Sequence, residues 1–193
     1  MTKLEKYIDE SGIIRTSDIL SNGISKYDYY RYLKENNYEK ISHGMYAKAD
    51  MWSDELAIIK KRCPQAVISH DEALYYHGLI DHEPERPTFT IYSGYNTSRL
   101  KSKGYKAYYV KKDYLDLGKI AVKDFNGNEV YMYDLERTMC DLVRNRNSFE
   151  SQDFTTALKS YARRSDKNLT RLFEYAEIFR IDRLLRQYLE VLL

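Results

Sequence analysis

Between Gly12 and Lys48 the apolar positions change spacing, and each change marks an element. Thr16 or Ser17 is placed to cap a short helix whose inward contacts are Ile19 and Leu20. Asn22-Gly23 breaks it, because glycine takes the positive φ that such a turn needs. Ser25 then caps a second helix, with Asp28 three residues on as an approximate capping box. Tyr29, Tyr32 and Leu33 fall at i, i+3 and i+4, so they share the inward face. Tyr27, Arg31 and Lys34 lie opposite, with Lys26 in the first turn. Tyr38–Ile41 and Met45–Ala47 alternate as strands across Ser42-His43-Gly44, a hairpin. Helix, turn, helix and small β wing is the winged helix-turn-helix plan, whose second helix enters the DNA major groove. The expected DNA contacts are Ser25, Lys26, Tyr27, Tyr30, Arg31, Lys34 and His43. The alternative is an ordinary α+β packing unit.

The flanking pattern sets the domain plan. Leu4, Tyr7 and Ile8 put one face of Met1–Glu10 inward as a supporting helix. A domain boundary is expected near residue 50, giving domains 1–50 and 51–193. Trp52–Arg62 reads as the helix that opens the second, stopped by Cys63-Pro64. Ser69–Leu79 reads as a helix capped by Ser69, with Glu72 three residues on and Gly78 as its stop. Pro87–Tyr92 and Lys106–Val110 read as strands, and Lys119–Asp124 and Glu129–Tyr133 as a hairpin around Asn126-Gly127. The period then switches to 3.6. Four helices are predicted, on Leu135 to Val143, Phe154 to Tyr161, Leu169 to Phe179 and Ile181 to Leu192. The expected fold class is α+β, a winged helix-turn-helix followed by a larger α+β domain with a helical C-terminal half.

Composition narrows the chemistry. With 193 residues, 43% hydrophobic and 31% charged, the chain has room for a real core and is expected to be cytoplasmic, with no membrane segment. Cys63 and Cys140 lack metal-type spacing and are expected to be reduced. A net charge of +2 is too small for indiscriminate coating of nucleic acid, so contacts with DNA must come from local patches. One such patch is Arg99, Lys101, Lys103, Lys106, Lys111 and Lys112, with no acid among them and Tyr105, Tyr108 and Tyr109 between. It suits a phosphate backbone, and equally a solvated loop and strand edge protected by lysine.

Candidate catalytic groups fare worse. His70 and His77 are about 10 Å apart along a helix, too far for one metal ion without a loop ligand between them, and capping and local hydrogen bonds are the preferred reading. Asp134, Glu136 and Asp141 could be read as a magnesium cluster, but Asp134 and Glu136 do not share a helical face. A structural node is preferred, in which Asp134 caps the helix and Arg137 either returns to Asp134 or crosses to a partner carboxylate such as Asp141 at i+4. In that reading removal of Glu136 matters little. No phosphate loop, Ser-His-Asp set or Cys-His pair is visible, so no enzyme, cofactor or metal is expected.

Three segments together carry a resemblance. The N-terminal unit ending in Gly44-Met45-Tyr46, the Ser69–Leu79 segment with Ala73-Leu74 and His77-Gly78-Leu79, and Tyr133–Arg144 resemble the AbiEi antitoxin family. Asp134-Leu135-Glu136-Arg137-Thr138 followed by Cys140-Asp141-Leu142 is the most specific of these. The resemblance implies an antitoxin of a type IV toxin–antitoxin, phage abortive-infection system. Its N-terminal winged helix would repress its own operon at promoter DNA, expected to carry inverted repeats. Its C-terminal domain would neutralise a nucleotidyltransferase-like toxin without a stable complex. No further domain is expected after the last helix. Two other classes stay open: a transcription regulator with a ligand-binding C-terminal domain, and a DNA-binding nuclease.

Overall fold

The computed structural model describes residues 4–7, 12–48, 55–124 and 127–190. It mixes helices and strands in the α+β manner and divides into two compact units. One comprises Met1–Arg62 with Lys123–Glu129, and the other Cys63–Val122 with Val130–Leu193. The expected boundary near residue 50 lies outside the described residues.

The first unit contains β1 (Ile13–Arg15), α1 (Thr16–Ser21), α2 (Lys26–Glu35), β2 (Tyr38–Ser42), β3 (Met45–Lys48) and α3 (Glu55–Arg62). Its antiparallel sheet has the order β1-β3-β2, with Ile14 and Lys40 both opposite Tyr46. Leu4, Ile14, Ile19, Tyr29, Tyr32, Leu33 and Tyr38 form its core. Neither Thr16 nor Ser17 caps α1. Arg15 holds the cap position in an extended conformation without a side-chain bond, because the chain enters the helix straight from β1. Of the supporting helix, a short 3-10 turn over Glu5–Tyr7 is described, with Leu4 buried, while Ile8 falls outside the described residues. Trp52 does too. The helix that was expected to open the second domain groups with this unit, where the Lys61 ammonium bonds the Ile13 carbonyl.

The second unit runs β4 (Val67–Ile68), α4 (Asp71–Tyr76), β5 (Thr88–Tyr92), α5 (Ser98–Lys101), β6 (Lys106–Val110), β7 (Lys119–Lys123) and β8 (Glu129–Tyr133). Helices α6 (Leu135–Arg144), α7 (Ser151–Arg163), α8 (Leu169–Ile178) and α9 (Asp182–Leu189) follow. The sheet order is β6-β5-β4-β8-β7, with β4 antiparallel to β5 and β5 parallel to β6. The four helices bury Met139, Leu142, Val143, Ala157, Leu158, Tyr161, Leu172, Ala176 and Leu185 in one core with Leu74 and Leu79. Both cysteines are free and buried. No helix among the described residues is long and apolar enough to cross a membrane.

Ser69 does not cap α4. Its hydroxyl bonds Thr90 Oγ1 at 2.8 Å, and the cap position belongs to His70. His70 stands at φ 56°, ψ −126°, a backbone region that glycine prefers. Its ring stacks on Tyr108, with centroids 3.3 Å apart and planes 5° apart. Asn145 Nδ2 lies 3.1 Å from both His70 Nε2 and the Asp141 carbonyl. A carbonyl requires a donor, so that end of Asn145 is the NH2 and Nε2 accepts; the imidazole proton then sits on Nδ1 and points to Ser69 Oγ at 2.8 Å. Burial, reinforced by Lys106, Arg137 and Arg144 against the opposing pull of Asp141, lowers the His70 pKa to about 3. The unfolded chain takes up this proton near pH 6.5, whereas the folded chain refuses it until about pH 3. The folded state is thus favoured above pH 6.5 and loses that advantage as pH falls. Urea unfolding between pH 6.5 and 5 should show the loss in wild type and a flatter profile in His70→Gln. Equal slopes would place the acid sensitivity elsewhere.

Candidate nucleic-acid interface

Helix α2 is built as expected from its sequence, with one change at its cap. Ser25 Oγ accepts from the Asp28 backbone N–H at 3.1 Å. The return bond of a capping box to the Ser25 N–H is replaced by Ser25 Oγ donating to Asp28 Oδ2 at 2.6 Å, because aspartate is one methylene shorter than the usual glutamate. Tyr29, Tyr32 and Leu33 are buried. Tyr29 Oη lies 3.2 Å from Thr16 Oγ1, and its ring meets Tyr46 edge-on at 6.0 Å. Burial pushes the Tyr29 phenol up to about 12, despite the opposing effect of Thr16.

The outward face carries Lys26, Tyr27, Tyr30, Arg31 and Lys34, all exposed. Tyr27 is 74% exposed and Tyr30 45%, which is unusual for rings of that size. Arg31 is held: Nη2 donates to Asp28 Oδ1 at 3.0 Å, Nε lies 4.0 Å from Glu35, and the guanidinium sits 5.5 Å from the Tyr27 ring centroid. The clamp adds to what the sequence predicts for Arg31, and its local signal is the acid at i−3 and the acid at i+4. Tyr30 also packs edge-on to Tyr46 at 6.2 Å, so part of its ring serves the fold. Beyond the helix, Gly44 at φ 70° closes the β2–β3 turn, and its carbonyl accepts from Thr16 N at 2.8 Å. That bond ties the hairpin to the start of α1. His43 is exposed at this tip.

The basic block lies in the second unit, on α5, β6 and the turns beside them. Arg99, Lys101, Lys103, Lys111 and Lys112 are exposed. Lys106 is different. Its ammonium lies 3.6 Å from Asp71 Oδ2, 3.4 Å from the Ser148 carbonyl and 5.1 Å from the Tyr108 ring centroid. Burial alone would lower its pKa, and Tyr108 and Asp71 more than reverse that. Of the three interleaved tyrosines, Tyr105 is buried, Tyr108 is committed to the His70 stack, and Tyr109 is exposed beneath Lys101 at 5.0 Å.

The node on α6 is deeper than expected. Asp134 Oδ1 accepts from Arg137 N at 2.7 Å, and Asp134 Oδ2 from Tyr175 Oη at 3.0 Å. Arg137 is wholly buried. Its Nε donates to Asp141 at 3.1 Å, and its Nη1 to the carbonyls of Tyr114 at 2.9 Å and Leu117 at 2.7 Å. Its guanidinium lies 4.0 Å from the Tyr133 ring centroid and 4.5 Å from that of Phe179. Arg144 takes the other Asp141 oxygen at 2.9 Å. Glu136, expected to be dispensable, is 4% exposed and accepts the Asn168 N–H at 2.8 Å, joining α6 to the start of α8. The three carboxylates are therefore engaged by three different sets of donors. Among the described residues no group of three His, Cys, Asp or Glu could hold a metal ion.

The architecture has a solved counterpart. The chain is similar in fold to the crystal structure of the RV2827C protein from Mycobacterium tuberculosis. That likeness has a TM-score of 0.68 at 14% identity and covers 96% of this chain and 74% of that one. At such identity it speaks for the fold alone. No family model and no curated protein matches the chain.

Proposed function

We propose that this protein is a DNA-binding antitoxin that represses its own operon. In this reading the first unit is a winged helix-turn-helix, with α1 and α2 as the helical pair, α2 as the reading helix and the β2–β3 hairpin as the wing. The observation that carries it is the division of α2 into a buried face of Tyr29, Tyr32 and Leu33 and an exposed face of cations and tyrosines. Tyr27, 74% exposed, and the solvent-facing part of Tyr30 stand beside three cations, an arrangement that suits a nucleic-acid surface. The exposed members of the basic block, Arg99, Lys101, Lys103, Lys111 and Lys112, would serve as a phosphate-binding surface, with Lys106 reserved for Asp71.

The antitoxin half of the proposal rests on the AbiEi resemblance of Tyr133–Arg144. The engagement of Asp134, Glu136 and Asp141 in capping and pairing supports a structural role for that motif over a nuclease centre. Neutralisation of a nucleotidyltransferase-like toxin would then belong to the second unit, in the cytoplasm and without a stable complex. Co-expression tests it. Full-length protein supplied from an independent promoter should restore growth to cells making the toxin encoded beside it. Arg31→Ala should restore growth equally while failing to repress a reporter driven by the operon promoter. Repression without any rescue would replace the antitoxin with a plain regulator.

A further inference from the structure

Two kinds of cation sit on the exposed face of α2. Lys26 and Lys34 are flexible point charges, suited to phosphate oxygens whatever the sequence. Arg31 is a planar fork contacted from two sides, by Asp28 at 3.0 Å and by the Tyr27 ring with its centroid at 5.5 Å. Those contacts and the Glu35 pairing use Nε and one Nη2 proton, and leave the second Nη2 proton and both Nη1 protons outside every hydrogen bond described for this side chain. Tyr27 is in turn the most exposed large apolar side chain among the described residues, and it sits one turn before Arg31, in the first turn of the helix. The N-terminal residues of a reading helix are those that reach base edges.

We infer that Tyr27 and Arg31 act as one reading unit for a thymine adjacent to a guanine in the major groove, an inference that rests on the DNA-reading proposal. A guanine presents N7 and O6, which an arginine fork bonds in a plane, and a thymine presents its C5-methyl group, which takes an apolar contact. A guanidinium and an aromatic ring held together match those two neighbours at once. Asp28 and Glu35 bias the fork toward this orientation and away from a phosphate, so their role is to position Arg31. Tyr27 is then a specificity-determining residue, although it carries no charge and has no duty in the core.

Selection of full-length wild type on a randomised duplex library, followed by single-atom edits of the enriched site, tests this. The enriched site should contain thymine next to guanine. Replacing that thymine with deoxyuridine, which removes the methyl alone, should weaken wild type about fourfold, the worth of one methyl-sized apolar contact. Tyr27→Ala should bind both versions alike, and Tyr27→Phe should still sense the methyl. Replacing the guanine with 7-deazaguanine should weaken wild type and leave Arg31→Ala unchanged. An enriched site without this step, or a Tyr27→Ala protein that still senses the methyl, overturns the inference while DNA reading stands. A wild type that enriches no sequence overturns both.

Discussion

Arg137→Ala should cost about 3–5 kcal/mol of stability, the usual consequence of removing one partner of a buried ion pair. Asp141 is 1% exposed and would lose its Nε contact, while the carbonyls of Tyr114 and Leu117 would lose their donor. A void would also open between the Tyr133 and Phe179 rings. Arg144 still reaches Asp141, which places the loss toward the lower end of that range. For a chain of this size the melting temperature should fall by roughly 6–12 °C. Arg137→Lys should not restore it, because an ammonium cannot supply the fork that serves a carboxylate and two carbonyls together. Glu136→Ala should also destabilise, by about 1–3 kcal/mol, since the Asn168 N–H loses its acceptor. Thermal melts of the three variants beside wild type decide the matter. Unchanged melting in Arg137→Ala would remove the node from the structural account.

Gly118→Ala is the second large effect, and it acts on the same node from the other side. Gly118 has φ +74°, and a Cβ there would fall 2.6 Å from Arg137 Cβ and 3.2 Å from Asp134 Oδ1. The loop cannot simply retreat, because the Gly118 carbonyl accepts from Asp134 N at 2.7 Å. Left-handed backbone strain of about 1 kcal/mol or more adds to a packing clash of about 1–3 kcal/mol. Gly94 separates the two contributions. Its φ is +95°, yet nothing lies within 4 Å of a Cβ placed there. Gly94→Ala should therefore cost only the strain, and urea midpoints should order the proteins as wild type, Gly94→Ala, then Gly118→Ala. Equal losses in the two alanine variants would mean that Gly118 is not wedged against Arg137.

Much of this was legible from the chain itself, and the misses have physical causes. The inward set of α2 and the four C-terminal helices followed from 3.6-residue periodicity, since each helix has one apolar stripe to bury. Ser25 and Asp134 cap as expected, because their bonds are local, to residues three positions on. The capping pattern at Ser69 misled, because Thr90, 21 residues away, competes for the same hydroxyl. Strand β4 has two residues, too few to show a period, and α5 has four. Glu136 reads from the sequence as an exposed helical acid until α8 folds back and presents the Asn168 N–H. Lys106 looked like its neighbours in the basic block, and only the placement of Asp71 sets it apart. The candidate site was legible where contacts are local and hidden where distant segments meet.

The central claim, that the exposed face of α2 reads DNA, meets its most direct test in one titration. Full-length wild type and a Lys26→Ala/Arg31→Ala/Lys34→Ala variant would be titrated by fluorescence anisotropy on promoter DNA of the operon and on a scrambled duplex, at several salt concentrations. Each of the three side chains is exposed, so the variant should keep the wild-type melting temperature. Wild type should prefer the promoter. The variant should lose that preference, bind at least about tenfold more weakly, and show a salt slope shallower by roughly one unit for each phosphate contact removed. A folded variant that binds the promoter as tightly and as selectively as wild type would contradict the account.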